Sequence, residues 1–406
     1  TEDRRTGRAV GHRRDDRCCA GAERHPVRIE IGTDGLATQG DPRGFAAGVQ
    51  RHVGPLAVRV VPLLDREPGK RDIFRCLSLE TGEELWSKSW KAEGSVPHPG
   101  SRSQPLVDGR YVFVVGLAGD VYALDRKERE LAWHTNILER YDAEKPKYGV
   151  SQCPLPYRDM IILIPFGRKA GVVALDKETG EEVWASAPFD DLKRGPYSSP
   201  VLAELGGTTQ VMITLFNQTA ALDPDTGTFL WRHGDWNCRR SIVSPVIAGD
   251  GRVLRTGGYG AGTDMLRVRQ SGGRFEVSTL WRTSECNCQM HQPIIHEGYI
   301  YVMGNSNKSH AGLMCYDMDG ELQWKTKRSP SFGRGGMLLA SGHLFAVDAK
   351  TGELVMIEPD PSGYRPVGSA KYLDPEARAW APPVLSEGRL IIRDQKKMKC
   401  LDLRAD

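Results

Sequence analysis

The chain has 406 residues, of which 39% are hydrophobic and 26% charged, a composition typical of a globular protein. Its formal net charge of +3 is too small to favour nucleic-acid binding, and no apolar run approaches the ~20 residues of a membrane-spanning helix. The cysteine count, nine, is odd and defines no disulfide framework, so it does not indicate a cellular compartment.

Residues 1–53 differ in composition from the rest of the chain. Arginine is frequent there, and the first lysine of the chain is Lys70. The segment contains one Phe, Phe45, and no Tyr or Trp. One hypothesis is a disordered basic arm, because too little apolar area is present to offset the entropy of ordering. The other is a mis-started or frame-shifted translation. Both exclude this segment from the predicted domain, and neither offers an export signal.

One short piece of this segment has a strand pattern. Val27–Ile31 alternates apolar and polar residues, as a half-buried strand does. The end of the chain supplies only three strands, near Val384, Leu390 and Leu401. We therefore predict that Val27–Ile31 is the missing outer strand that closes the last sheet.

From Pro55 onward one pattern recurs, and its clearest copy is Val172–Trp184 (VVALDKETGEEVW). An apolar run ends at Asp176, and Thr179-Gly180 signals a turn because glycine takes positive φ without steric cost. A second extended run then ends in tryptophan, so the pattern predicts a β-hairpin that needs copies beside it. Copies occur at Cys76–Trp86, Ala123–Trp133, Ala221–Trp231, Cys315–Trp324 and Ala346–Met356, with a fainter one at Leu266–Trp281.

A second marker has the same period. Proline followed by two mostly apolar residues recurs at positions 55, 105, 154, 200, 245, 293 and 383, and Met337 stands where the remaining member would fall. Two markers with a period of about 40–50 residues indicate a propeller with four strands per blade. We predict an all-β fold, an eight-bladed β-propeller of four-stranded antiparallel blades over residues 54–406. Val60–Leu64 is the predicted second strand of a compressed first blade.

The motif Ala-x-Asp-x-x-Thr-Gly-x-x-x-Trp resembles the repeat of the quinoprotein-like eight-bladed β-propellers, and the resemblance covers residues 54–406. That family includes pyrroloquinoline-quinone (PQQ) dehydrogenases and a non-enzymatic propeller lipoprotein of the outer-membrane barrel-assembly machine. The resemblance implies a periplasmic or other extracytoplasmic location. The resemblance does not decide whether the protein is an enzyme or a scaffold, because a fold does not determine a function.

The repeated polar and aromatic residues are predicted to be structural. Each motif tryptophan should pack between adjacent blades, and each motif aspartate should accept backbone N–H groups in its own turn. The tryptophans are Trp86, Trp133, Trp184, Trp231, Trp281 and Trp324. The aspartates are Asp125, Asp176, Asp223, Asp317 and Asp348.

Two cysteine clusters are candidate chemical sites. Cys286, Cys288 and His291 are soft ligands within six residues, but a fourth ligand at matched spacing is missing, so we expect a loop without metal. The adjacent pair Cys18-Cys19 is similar to a pair in quinone-dependent alcohol dehydrogenases. There it lies within the propeller, whereas here it lies in the atypical N-terminal segment.

The connections that precede each proline marker are rich in Arg, aromatic and amide side chains, and a propeller gathers them on one face. They predict a funnel-shaped ligand mouth, although turn and strand-entry roles would explain the same residues. The predicted lining is Arg102, Gln104, Gln152, Tyr197, His291, Gln292, Arg334 and Trp380.

The leading prediction is a non-catalytic, monomeric propeller that binds a protein or small-molecule ligand at this face, without a cofactor or nucleic acid. The alternative is a PQQ- and Ca²⁺-dependent alcohol or sugar dehydrogenase. In that case Trp380 and Tyr197 would stack on the quinone, and Arg102 and Arg334 would pair with its carboxylates. No Ca²⁺ ligand set or catalytic carboxylate is recognisable, which favours the first function.

Overall fold

The computed structural model describes residues 28–32, 60–94, 96–98, 100–304 and 311–404, with backbone only for 28–32. These residues form eight β-sheets and one short helix. The predicted all-β, eight-bladed propeller is confirmed. The segments 1–27 and 33–59, which include Cys18-Cys19 and most of the atypical N-terminal region, lie outside the described residues.

The strands of blades 1–4 follow one another in chain order. Blade 1 has three strands within the described residues, β2 (Val60–Glu67), β3 (Arg71–Ser78) and β4 (Glu84–Lys91). Blade 2 comprises β5 (Leu106–Asp108), β6 (Tyr111–Val115), β7 (Asp120–Asp125) and β8 (Leu131–Asn136). Blade 3 comprises β9 (Leu155–Tyr157), β10 (Met160–Leu163), β11 (Val173–Asp176) and β12 (Glu182–Ala185). Blade 4 comprises β13 (Val201–Leu205), β14 (Thr208–Thr214), β15 (Thr219–Leu222) and β16 (Phe229–His233).

Blades 5–7 have the same order, and blade 8 takes its fourth strand from the N-terminal part of the chain. Blade 5 comprises β17 (Val246–Ile247), β18 (Arg252–Gly257), β19 (Gly262–Ser271) and β20 (Arg274–Thr283). Blade 6 comprises β21 (Ile294–His296), β22 (Tyr299–Gly304), β23 (Gly312–Asp317) and β24 (Leu322–Lys325). Blade 7 comprises β25 (Met337–Ala340), β26 (His343–Val347), β27 (Glu353–Glu358) and β28 (Arg365–Lys371). Blade 8 comprises β29 (Val384–Ser386), β30 (Arg389–Arg393), β31 (Lys397–Asp402) and β1 (Arg28–Gly32).

The closing strand of blade 8 runs in an unusual direction. β1 lies one residue later than the predicted Val27–Ile31 and pairs with β31 in parallel, from Arg28 opposite Lys397 to Gly32 opposite Leu401. The fourth strands of blades 2–7 are antiparallel to their neighbours.

Helical structure is nearly absent from the described residues. The one helix, α1 (Ile137–Arg140), begins after Asn136, whose side chain accepts hydrogen bonds from the first-turn N–H groups of Leu138 and Glu139. At four residues, α1 is far too short to span a bilayer, and no longer helix occurs in the described ranges.

The hydrophobic core is divided among the interfaces between blades. One cluster joins blades 2 and 3 through Phe113 and Ile161, and another joins blades 1 and 2 through Val112 and Phe74. Consecutive residues of β6 therefore pack against different neighbouring blades, one against blade 1 and the next against blade 3. This explains why the strand is buried on both faces. A cluster containing Leu63 and Met398 joins blade 8 to blade 1, so the ring is closed.

The outer hairpin places each tryptophan opposite a small or flexible residue, with a β-bulge directly after that residue in the third strand. The opposed pairs are Cys76 with Trp86, Ala123 with Trp133, Ala174 with Trp184, Ala221 with Trp231, Met265 with Trp281 and Cys315 with Trp324. The repeated spacing of the motif thus sets the register of the outer strands.

Most of these tryptophans contact the turn of the next blade. The indole N–H donates to a carbonyl there, from Trp133 to Lys177 (2.9 Å), Trp184 to Pro224 (3.0 Å), Trp281 to Met318 (3.0 Å) and Trp324 to Asp360 (2.7 Å). Trp231 instead bonds Gln210 of its own blade at 2.7 Å. Blade 5, which follows it, has a long β19–β20 hairpin without the Asp/Thr-Gly turn.

Each motif aspartate caps its own turn, because its Oδ1 accepts two backbone N–H groups. The donors are those of residues 127 and 128 for Asp125, 178 and 179 for Asp176, 225 and 226 for Asp223, 319 and 321 for Asp317, and 350 and 351 for Asp348. Ser78 does the same in blade 1. These contacts are local, so each carboxylate has the structural role in its own turn that the sequence predicts.

The seventh copy occupies a different place in its blade. Ala346–Met356 joins the second and third strands, β26 and β27, whereas the other copies join the third and fourth. The turn before the fourth strand forms at Asp360 instead, whose Oδ1 accepts from the N–H of Ser362 at 2.6 Å. The aspartate turn predicted at Asp348 is present, but it joins a different pair of strands from the other copies.

Met356 therefore does not replace a tryptophan. It lies on the third strand, directly before the bulge, and stands opposite Gly368 of the fourth. The large and the small residue have exchanged strands, so the pair keeps a large side chain beside a small one. The Asp/Thr-Gly motif at Ala346–Met356 has the same residues and spacing as in the copies at Val172–Trp184 and Ala221–Trp231. The sequence therefore does not reveal that the large and the small residue lie on exchanged strands.

Candidate functional site

The loops on the mouth face are joined by hydrogen bonds that run from blade to blade. The N–H of Gln104 donates to Cys153 Sγ (3.2 Å), that of Cys153 to Ser199 Oγ (2.9 Å), and that of Ser199 to Ser244 Oγ (3.0 Å). Each of these residues directly precedes a proline marker. The residues before the marker therefore join neighbouring loops at the mouth, and the marker itself directly precedes the first strand of blades 2–6 and 8.

Gln152 belongs to this framework. Its side chain is buried and bonds the backbone of Ile164 twice, donating to the carbonyl at 2.7 Å and accepting from the N–H at 2.6 Å. Ser198 makes the equivalent bond to the carbonyl of Thr214 at 2.8 Å. The structure thus directs Gln152 at its own blade and away from a ligand.

Four aromatic rings from different loops meet on the mouth face. The rings of His98 and Trp380 are 5.3 Å apart edge to face, and those of His98 and Tyr148 are 6.2 Å apart and nearly parallel. Tyr148 in turn lies 5.9 Å from Tyr197. The chain of rings crosses from the loop before blade 8 to the loop before blade 4.

Three arginines cover these rings. The guanidinium of Arg240 lies 4.5 Å from the ring centre of Tyr148, and those of Arg334 and Arg378 lie 5.2 and 5.4 Å from that of Trp380. Such cation–π contacts hold each guanidinium against an aromatic face. We call these seven residues, His98, Tyr148, Tyr197, Trp380, Arg240, Arg334 and Arg378, the aromatic–cationic mouth.

The electrostatic field in the mouth is positive. Partial burial lowers the pKa of His98, and the neighbouring cations Arg102, Arg378 and Arg334 lower it further. Arg378 Nη1 lies 3.4 Å from His98 Nδ1, a contact that suits a neutral imidazole. Burial likewise raises the pKa of the Tyr197 hydroxyl, so both groups stay neutral near pH 7.

Two further predicted residues support the mouth from behind. Arg102 donates to the carbonyls of Gly100 (3.0 Å) and His98 (2.7 Å), which holds the His98 loop. His291 is only 8% exposed, and its Nε2 lies 2.8 Å from the carbonyl oxygen of Arg334. Burial lowers the pKa of His291, and this hydrogen bond opposes the shift.

The predicted lining is thus only partly assembled by the structure. Tyr197, Arg334 and Trp380 belong to the aromatic–cationic mouth, whereas Gln104 and Gln292 are exposed side chains beside it. Sequence reasoning missed His98 altogether. It also passed over Tyr148, Arg240 and Arg378 as individual residues, although they lie in the same strand-entry loops. Their common signal is an aromatic or Arg residue within seven positions of a proline marker.

The cysteine cluster of blade 6 points into the core. Cys286 and Cys288 are fully buried, and burial raises their pKa values to about 11 and about 12. Cys288 Sγ donates to the carbonyl of His291 at 2.9 Å. Within the described ranges, no three His, Cys, Asp or Glu side chains converge as a metal site.

The residues of the mouth fit one part of a quinone site and not the other. The aromatic rings and arginines suit a flat polyanion, but a Ca²⁺ ion needs several oxygen ligands, usually with carboxylates among them. The side chains that meet in the mouth are aromatic or cationic. The seven side chains of the mouth therefore do not themselves supply the oxygen ligands of the metal half of such a site.

The comparisons with known proteins agree on the fold. A family model described as outer membrane protein assembly factor BamB matches residues 70–326. The curated relative quinoprotein alcohol dehydrogenase PedH from Pseudomonas putida is 22% identical over 324 residues, 72% of this chain and 48% of its own length. Quinohemoprotein alcohol dehydrogenase from Comamonas testosteroni is 23% identical over 244 residues, 45% of this chain and 33% of its own. This chain spans half or less of either relative.

Solved structures show the same architecture. BamB from Moraxella catarrhalis superposes with a TM-score of 0.55 at 14% identity, covering 84% of this chain and 92% of that one. Quinohemoprotein alcohol dehydrogenase from Comamonas testosteroni gives 0.53 at 14% identity, covering 82% and 68%. Such low identity establishes the fold and carries no function across.

Proposed function

The chain belongs to the family of the outer membrane protein assembly factor BamB, and on that premise we propose that it is a non-catalytic propeller that binds a protein partner through its loop face. The family description places its namesake in outer-membrane protein assembly, and an extracytoplasmic scaffold of this kind is the role that we propose here. The aromatic–cationic mouth is the proposed contact surface.

One observation carries the proposal. The mouth combines four aromatic rings with three arginines. Aromatic and Arg side chains are the residues that dominate protein-binding hot spots. Burial and the neighbouring cations keep His98 neutral, so this imidazole is poorly suited to act as a general acid near pH 7.

We further propose that the protein needs neither PQQ nor Ca²⁺. The arginines and Trp380 would suit the carboxylates and the flat ring of the quinone, which is the observation that keeps a dehydrogenase as the second candidate. What argues against it is the donor set, since a quinone carbonyl needs an electrophile such as Ca²⁺ to become a good hydride acceptor.

The two candidates separate in a direct experiment on purified protein. Calorimetric titration with PQQ in the presence of Ca²⁺ should give no tight binding, and dye-linked assays should show no oxidation of alcohols or aldose sugars. Micromolar or tighter binding accompanied by turnover would establish the dehydrogenase instead.

Partner binding is tested in the cell envelope of the native host. A photo-crosslinking residue at Tyr197 should capture a defined protein, and the Trp380→Ala change should remove that product. The control position is Leu280 on the outer strand of blade 5, a large side chain that is 45% exposed. Equal capture at Leu280 would reject the mouth as the binding surface.

A further inference from the structure

A separate concave site lies beside the mouth, between blades 3 and 4. It is a cavity of about 260 Å³ bounded by four loops, those before blades 3, 4 and 5 and the loop between the second and third strands of blade 3. Tyr197 and Arg240 form the wall that it shares with the mouth. We call it the basic pocket.

The walls of the basic pocket are held by backbone hydrogen bonds between different loops. The N–H of Arg168 donates to the carbonyl of Asp142 at 3.0 Å, and the N–H of Tyr197 donates to the carbonyl of Ser241 at 2.8 Å. Phe166 in the wall has a φ of 56°, which is rare for a bulky residue and persists only where the surroundings enforce it. The pocket is therefore preformed.

Cationic side chains dominate its lining. Six of them are Lys145, Lys147, Lys193, Arg194, Arg239 and Arg240. The two acidic residues of the pocket, Asp142 and Glu144, are both engaged by Arg168, at 3.3 and 3.0 Å.

Most of this positive charge has no carboxylate partner among the residues that the structure describes. Lys193 pairs with Asp191 at 3.4 Å. The remaining five cations have no carboxylate within 4.0 Å in the part of the chain that the structure describes. Like charges gathered around a concavity repel one another, and an anion bound among them relieves that repulsion.

We infer that the basic pocket binds a compact oxyanion with two or more negative charges, of the diphosphate or phosphate-ester class. Three of the unpaired cations, Arg194, Arg239 and Arg240, carry the planar fork that recognises phosphate oxygens in pairs. The apolar wall of Phe166, Leu192 and Pro146 leaves room for a small organic group attached to the anion.

The shape favours a compact ligand over an extended acidic peptide. The cavity is slightly smaller than the 300–1,000 Å³ or so of typical sites for drug-sized ligands, so it suits a headgroup-sized molecule. An acidic peptide would lie along a groove and would use only one or two of its side chains here. Arg194 and Arg239 lie outside the aromatic–cationic mouth, so changes at these two residues test the pocket separately from the partner-binding role.

The test is calorimetric titration of the purified full chain with inorganic pyrophosphate. The double variant Arg194→Ala/Arg239→Ala should lower the affinity by about tenfold or more, and its melting temperature should be unchanged because both side chains are exposed. The matched control is Arg274→Ala/Lys371→Ala, which removes the same charge from exposed positions on blades 5 and 7 and should change the affinity less than about twofold.

Two parallel titrations define the ligand class. Citrate, a compact polycarboxylate, should bind more weakly than pyrophosphate, and a hexaglutamate peptide should bind more weakly still. Tighter binding of either one would overturn the assignment. It would also be overturned by no saturable pyrophosphate binding below about 10 mM, or by an equal loss in the control variant, which would reveal only a solvated basic surface.

Discussion

The outer hairpins and the mouth loops of this propeller differ in how their tryptophans are used. At the rim, Trp133 and Trp184 are nearly buried and donate to the turn of the following blade. In the mouth, Trp380 stays partly exposed and has an arginine on it at 5.2 Å. The comparison teaches that the tryptophans repeated at the blade period serve the packing between blades, whereas Trp380, which lies outside the repeat, is available for a ligand.

The largest expected effect comes from a rim tryptophan. Trp184→Ala should lower the free energy of unfolding by about 3–5 kcal/mol, because it removes a buried indole between blades 3 and 4. The adjacent change Val183→Ala should cost less than about 0.5 kcal/mol, since Val183 is half exposed. Urea unfolding of both variants measures the difference, and similar costs would contradict the structural role of the rim.

The contact between a rim tryptophan and the next turn can be isolated by a double-mutant cycle. Gly227 has a φ of 72°, and an added Cβ would lie 2.3 Å from Cε3 of Trp184. Gly227→Ala should therefore cost more than about 1 kcal/mol in the native background. In the Trp184→Ala background the clash disappears and only the backbone strain remains, so the cost should fall. Strict additivity would show that the two residues do not touch.

A smaller, pH-dependent effect is expected behind the mouth. Burial lowers the pKa of His291 in the folded state, so the unfolded chain binds its proton more readily. The contribution of this residue is complete above the ordinary pKa of about 6.5 and is lost as the pH falls below it. Stability should drop between about pH 7.5 and about pH 5.5, and it should drop less in His291→Gln. The same pH dependence in both proteins would contradict this assignment.

The smallest effect on stability is expected in the mouth itself. Arg378 is exposed, so Arg378→Ala should change the free energy of unfolding by less than about 0.5 kcal/mol. It should nevertheless weaken partner crosslinking at Tyr197, because it uncovers Trp380. A large loss of stability would place Arg378 with the structural residues and would remove the contrast between rim and mouth.

The sequence predicted the fold well because propeller strands are specified locally. The turn at Asp176 and the small residue opposite Trp184 lie within one hairpin, and a proline directly precedes the first strand of blades 2–6 and 8. The displaced copy at Ala346–Met356 shows the limit, since the same letters can serve another pair of strands.

The mouth was less predictable, because it depends on which side chains of different blades meet. Gln152 and Trp380 both precede proline markers, yet the side chain of Gln152 bonds the backbone of Ile164 in its own blade, whereas Trp380 contacts the arginines of the mouth. His98 lies 282 residues from Trp380 and touches it only because the ring closes. Spacing along the chain contains no signal for such contacts.

The tryptophan contacts also give the ring a direction. In blades 2, 3, 5 and 6 the indole reaches forward, to the blade that follows in the chain. A cut between two such blades would therefore leave two unlike ends, one with a projecting indole and the other with the turn that receives it. Each end is complementary to the other kind of end and not to a second copy of itself. Chains opened in this way would therefore join head to tail, as domain-swapped oligomers or an open polymer.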